Sequence, residues 1–269
     1  VKKLSARRRH PLAALVVLLL ALAATGGLYA ALAPAPKAQA DDSAQSLAID
    51  EGKKLYSVGC ASCHGMSGQG SSDGPSLVGV GSAAVDFQVG TGRMPARQPG
   101  AQIPKKKNIY SQNEINQLAA YIASLGPGPS IPSKDQYNPA GADISHGGEL
   151  FRTNCSQCHN FVGRGGALTD GKFAPSLKGV DPKHIYEAMQ TGPQNMPSFP
   201  DTTMPQDAKA DIIAYLQEVD SAKTSNPGGF TLGSLGPVSE GLFAWVFGLG
   251  TLIAVAVWMA ARTTKAKKS

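Results

Sequence analysis

A chain of 269 residues with 25 Lys plus Arg against 19 Asp plus Glu carries a formal charge of +6, which at first suggests a basic protein. The charge is unevenly placed: residues 41–239 hold 15 Lys plus Arg against 18 Asp plus Glu, a balance of −3, so the basic surplus lies at the two ends and nucleic-acid binding has no support. All four cysteines fall in two short motifs, leaving none for a structural disulfide.

Lys2, Lys3, Arg7, Arg8 and Arg9 precede a stretch, 11–36, that has no charged side chain and includes LAALVVLLLALAA, apolar length enough for a span of about 20 residues. Residues 1–40 therefore read as an N-terminal apolar helix, either a signal anchor or a signal peptide. Ala38-Gln39-Ala40 before Asp41 has the A-x-A form of a cleavage site. Both alternatives stay open, and both leave the following region outside the membrane.

The string GKKLYSVGCASCH at 52–64 contains Cys60 and Cys63 with His64 directly after them, the attachment signature of c-type haem. The two sulfurs add to the vinyl groups on one porphyrin edge, and the histidine is carried under the ring to the iron. The signature recurs as Cys155, Cys158 and His159, so two covalently bound haem c groups are expected. A four-cysteine zinc site would bring its two pairs to within about 15–20 residues of each other, and a thioredoxin-like pair would sit beside a βαβ pattern. Neither feature exists here.

The whole region repeats at an offset of 95. GKKLYSVGCASCH aligns on GGELFRTNCSQCH at 147–159, GPSLVGV at 74–80 on APSLKGV at 174–180, and TGRMP at 91–95 on TGPQNMP at 191–197. Each copy ends in an apolar-periodic helix, at 111–125 and 205–219. Two homologous domains follow, 46–126 and 144–220, with the Pro/Gly-rich linker 127–143 between them as a semi-rigid spacer. Met94 and Met196 hold the same place in the two copies, each after Thr-Gly and before Pro, and are the expected sixth ligands to iron. Met204-Pro205 offers Met204 as the alternative to Met196. His184, His146, His10 and Met66 have weaker claims, and Lys105, Lys106 and Lys107 read as a solvated loop.

Residues 221–239 form a second linker, whose glycines at 226–237 suggest a hinge. Residues 240–261 form a transmembrane helix: Gly241–Ala261 is uncharged, with Trp245 and Trp258 near its ends. The basic tail 262–269 carries Arg262, Lys265, Lys267 and Lys268. Basic flanks on both apolar segments place both termini in the cytoplasm and the haem domains on the extracytoplasmic side of the cell membrane.

The repeat resembles the small cytochrome c fold over most of residues 46–220, which implies an all-α architecture of two tandem domains. In that family the helix leading into CxxCH crosses the terminal helix, which would bring Gly52 and Tyr56 against Leu118 and Tyr121, and Gly147 and Phe151 against Ile212 and Tyr215. The resemblance also implies that the Pro75 and Pro175 carbonyls accept the ring N–H of the proximal histidines. The haem would supply much of the core that roughly 75–80 residues per copy lack.

Tandem haem domains followed by a C-terminal membrane helix resemble the di-haem cytochrome cc subunit of actinobacterial cytochrome bc complexes. The resemblance implies an electron-transfer subunit of a quinol:cytochrome c reductase, with cytochrome b and Rieske iron–sulfur subunits as partners. Electrons would leave the Rieske centre for a haem-copper cytochrome c oxidase, within a dimeric complex joined to that oxidase. The chain by itself would be an electron carrier without catalytic residues. A cbb-type oxidase subunit would normally carry its anchor before the haem domains, and a di-haem peroxidase would need an iron without a strong sixth ligand. A subunit serving a periplasmic dehydrogenase stays open.

Overall fold

Among the residues that the computed structural model describes, 11–32, 37–100, 102–221 and 237–266, the architecture is all-α apart from one pair of two-residue strands. Helix α1 (Pro11–Leu32) has a mean hydropathy of 2.3 over Leu12–Leu32 with none of that window buried, so by length and composition it can cross a membrane.

Helix α2 (Lys37–Gly59) ends where the first cysteine motif begins. Cys60 leaves helical geometry at φ −130°, and the chain then makes the single turn α3 (Ala61–His64), which Gly65 ends at φ +79°. Helices α4 (Gly81–Gly90) and α5 (Gln112–Ser124) complete the first domain. A capping box starts α5: Ser111 accepts from the Glu114 N–H, and the Glu114 carboxylate accepts from the Ser111 N–H at 2.7 Å.

The second domain repeats the plan with α6 (Ile144–Asn154), the turn α7 (Ser156–His159), α8 (Pro182–Thr191) and α9 (Gln206–Asp220). Strands β1 (Gly166–Ala167) and β2 (Phe173–Ala174) pair antiparallel in the loop between α7 and α8. Asp143 caps α6 by accepting from the N–H groups of Ser145 and His146 at 2.9 and 3.0 Å.

The expected crossing forms in both copies. A Cβ at Gly52 would overlap the Gln117 carbonyl, and one at Gly147 would overlap the Asp211 carbonyl and lie 2.9 Å from the Ile212 nitrogen. Only glycine lets these backbones approach so closely. Beside the glycines, the rings of Tyr56 and Tyr121 stand 5.1 Å apart and those of Phe151 and Tyr215 5.5 Å apart. Leu118 and Ile212 are buried in the respective cores, each such side chain contributing about 1.5–3 kcal/mol.

The spacer between the domains is docked. The Ala83 N–H donates to the Pro129 carbonyl and the Ile131 N–H to the Ser82 hydroxyl, both at 3.1 Å, while Tyr137 packs on the second core. The domains themselves meet where α4 packs on α8. There the Lys183 ammonium lies 2.5 Å from Asp86, whose side chain is 2% exposed, and His184 donates from Nδ1 to the buried Glu187 at 2.9 Å.

At the C-terminal end, α10 (Pro237–Phe243) and α11 (Gly250–Ala266) flank the π-helical segment Ala244–Leu249. Ser239–Arg262 has mean hydropathy 2.1 and is long enough to span a membrane. The final helix runs past residue 261 into the basic tail, and the Arg262 guanidinium sits 4.2 Å over the Trp258 ring. The glycines expected to form a hinge lie, from 226 to 236, outside the described residues.

Candidate functional site

Each cysteine motif is one helical turn. The N–H groups of Cys63 and His64 donate to the Cys60 carbonyl at 3.2 and 3.0 Å, and those of Cys158 and His159 to the Cys155 carbonyl at 3.2 and 2.9 Å. Residues three apart on such a turn share a face, so both sulfurs of a pair can meet one edge of a planar ligand. Burial beside Cys63 pushes the Cys60 thiol up to about 11, and burial beside Cys158 does the same to Cys155. Thiols so hard to ionise disfavour the redox-pair alternative.

His64 and His159 are each 8% exposed. His64 donates from Nδ1 to the Pro75 carbonyl at 2.8 Å, and His159 from Nδ1 to the Pro175 carbonyl at 3.0 Å. A carbonyl only accepts, so the proton is on Nδ1 and Nε2 keeps the lone pair a metal needs. Burial also holds His159 below the usual imidazole range, partly offset by the Pro175 bond, which keeps the ring neutral. Pro75 and Pro175 thus occupy the orienting positions expected of them.

In the second domain Cys155, Cys158, His159 and Met196 line one cavity of about 680 Å³, within the range of a cofactor pocket. Met204, 5% exposed, is packed in the core with Phe151, Ile212 and Ile213 and is not part of that lining. His184 touches the cavity, but its Nδ1 is engaged by Glu187 and its ring stands edge-on to Phe87 at 6.1 Å. His146 is paired with Asp211 at 2.8 Å.

In the first domain Met94 packs against the core, next to a cis Met94–Pro95 peptide. The loop around it is pinned by Lys106, whose ammonium donates to the carbonyls of Gly92 at 3.1 Å, Arg93 at 3.2 Å and Pro95. Lys106 therefore departs from the solvated loop expected of the lysine run: three backbone acceptors converge on it, and charge-assisted bonds of this kind outweigh hydration of the head group. In domain two a different lysine, Lys209, is fully buried and lies 2.5 Å from Asp201.

The copies also exchange one tyrosine. Tyr56 donates its hydroxyl to the Gly65 carbonyl just after the first motif at 2.6 Å. The second copy has Phe151 there, and Tyr215 from the terminal helix donates instead to the Phe161 carbonyl at 2.7 Å.

Residues 49–126 match the family model described as Cytochrome c, and residues 142–216 the one described as Cytochrome C oxidase, cbb3-type, subunit III. The chain is 44% identical over 263 residues to the cytochrome bc1 complex cytochrome c subunit of Mycobacterium tuberculosis, covering 96% of this chain and 93% of that one. It is 45% identical over 284 residues to the subunit of the same name from Corynebacterium efficiens, covering 97% and 94%. The chain belongs to the family of cytochrome bc1 complex cytochrome c subunits.

As a cytochrome bc1 complex cytochrome c subunit, it has two cytochrome c domains, which imply haem c binding, and its role is electron transfer within a quinol:cytochrome c oxidoreductase. The Cbb3-type cytochrome c oxidase subunit FixP of Bradyrhizobium diazoefficiens is 28% identical over 217 residues, 74% of this chain and 71% of that one. Sequence reading missed Arg93, Gln102 and the Asp86–Lys183–Glu187 cluster. Arg93 alone left a trace, as a cation without a counterpart in the second copy.

Proposed function

We propose that this cytochrome c subunit is a membrane-anchored di-haem carrier that takes electrons from the Rieske centre of a quinol-oxidising cytochrome bc complex to a haem-copper terminal oxidase. The duplicated site carries this reading: each cysteine turn delivers a histidine with its Nε2 lone pair free. Cys60 and Cys63, and Cys155 and Cys158, would hold two haems through thioethers, with His64 and Met94 as axial ligands of one iron and His159 and Met196 of the other. Haem bound there would supply a one-electron iron couple, and a methionine ligand together with the histidine would raise its potential. The Met196 lining supports Met196 over Met204. The two apolar segments support anchoring in the cell membrane, with residues 1–40 as anchor or signal peptide, haem domains outside and the C-terminus in the cytoplasm. Cytochrome b and Rieske subunits are the partners, in a dimeric complex joined to the oxidase.

Acid–acetone extraction should leave two haems on the polypeptide. Met196→His should abolish the methionine–iron absorption of one haem and lower its potential, while Met204→Leu should leave both bands. The band vanishing in Met204→Leu but not in Met196→Leu would move the ligand. Replacing His159 by Ala should stop quinol-driven oxygen uptake in membranes; uptake at the wild-type rate with no soluble cytochrome added would refute a two-haem relay.

A further inference from the structure

The wall of the second domain's cavity is not built by that domain alone. Thr91, Arg93, Gln102 and Lys105, all of the first domain, line it. The strap that carries them is fixed by two reciprocal amide pairs. Gln102 donates to the Phe173 carbonyl at 2.7 Å and accepts from the Phe173 N–H at 2.9 Å; Gln194 donates to the Ile103 carbonyl at 3.2 Å and accepts from the Ile103 N–H at 3.3 Å. Two-point contacts of this kind set position and register.

Arg93 is the half-buried cation in this wall. Its guanidinium donates to the Thr91 hydroxyl at 2.6 Å and lies 4.8 Å from the centre of the Phe87 ring, and Thr91 is itself anchored on the Phe87 carbonyl at 2.5 Å. The group is therefore aimed. It pairs with no carboxylate among the described residues, although a guanidinium offers five N–H donors in a fork shaped for one. Burial holds its pKa below the ordinary value, a sign of an uncompensated charge. The aligned loop of the second copy, Pro193-Gln194-Asn195 before Met196, has no cation at this place.

We propose that Arg93 binds a propionate carboxylate of the haem held in the second domain, so that the loop bearing the first domain's methionine also closes the second domain's site. This rests on the reading that the cavity holds a covalent haem. Arg93 is a binding residue here, and the haem pocket of the second domain is incomplete without the first.

The test uses the full chain in its purified complex. In the R93K variant, a water-soluble carbodiimide should join the introduced amine to a haem carboxylate as an amide. Mass spectrometry should then find the peptide containing position 93 linked to the haem peptide 155–159. Linkage only to the haem peptide 60–64, or to neither haem, would overturn the proposal. In the R93Q variant, the reduction equilibrium constant of the haem identified by Met196→His should fall about tenfold, 59 mV for one electron, and in the R93K variant by less. A shift confined to the haem identified by Met94→His, or no shift, would also overturn it. A wild-type chain with fewer than two covalent haems would instead sink the underlying reading, and this inference with it.

Discussion

Glu187→Gln should make the packing of the two cytochrome c domains insensitive to pH. Asp86 and Glu187 face each other in the α4–α8 contact, with side chains 2% and 0% exposed. Burial pushes Glu187 from its ordinary 4.5 up to about 7, and the Asp86 carboxylate adds to this against the opposing His184 bond. Burial also works to raise Asp86, but hydrogen bonds from Glu187 and Lys183 outweigh it and hold Asp86 below its ordinary value. Glu187 is thus the member that keeps the proton. Unfolded, it ionises near 4.5 and folded near 7, so its contribution is full below pH 4.5, is lost as pH rises to about 7, and changes no further above that. The gap corresponds to about 3 kcal/mol, or roughly 6–12 °C in Tm for a unit of this size. Glutamine mimics the protonated acid: its amide can donate to Asp86 and its oxygen accept from His184. In thermal denaturation of the purified chain, the variant should match wild type at pH 4.5 and exceed it by that margin at pH 8. His146, raised by its Asp211 bond, titrates in both proteins and cancels in the comparison. Parallel Tm curves for the two proteins between pH 4.5 and 8 would refute the reasoning.

Gly147→Ala should drive α6 off α9, because its Cβ overlaps the Asp211 carbonyl; overpacking of this kind costs about 1–3 kcal/mol, read as a lowered Tm and reduced haem content of the second domain. Lys106→Met removes a charged donor from three carbonyls around Met94, a loss of about 2 kcal/mol. On heating, the methionine–iron absorption of one haem should disappear earlier than in wild type, while that of the other haem is unchanged.

The features legible in the linear chain are those whose physics is local. A CxxCH string closes its own helical turn, so Cys60, Cys63 and His64 take their relative places from the hydrogen bonds of five consecutive residues. The apolar spans are set by length and composition; the repeat aligns Gly52 with Gly147, and their place in a helix crossing is what the cytochrome c resemblance implies. The Pro75 and Pro175 carbonyls were reached through family resemblance, and the folded chain puts both on the histidine rings.

Met196 and Met204 are both followed by proline, and the repeat favours Met196 because it takes the place of Met94, but position in the repeat says nothing of burial. Closure of the domain turns Met204 into the core and leaves Met196 on the cavity wall. Lys106 looks like one of three solvated lysines until the chain folds back and offers it the carbonyls around Met94. Asp86, Lys183 and Glu187 come from different copies of the repeat and acquire their coupling only when α4 and α8 exclude water between them. Sequence alone determined the cysteine turns, the repeat and the apolar spans, because covalent spacing and helical period act over a few neighbouring residues. Tertiary structure decided which methionine reaches the second domain's cavity, what pins the loop of Met94 and how the two domains share a wall, because desolvation and charge pairing depend on distance in space, which chain order does not encode.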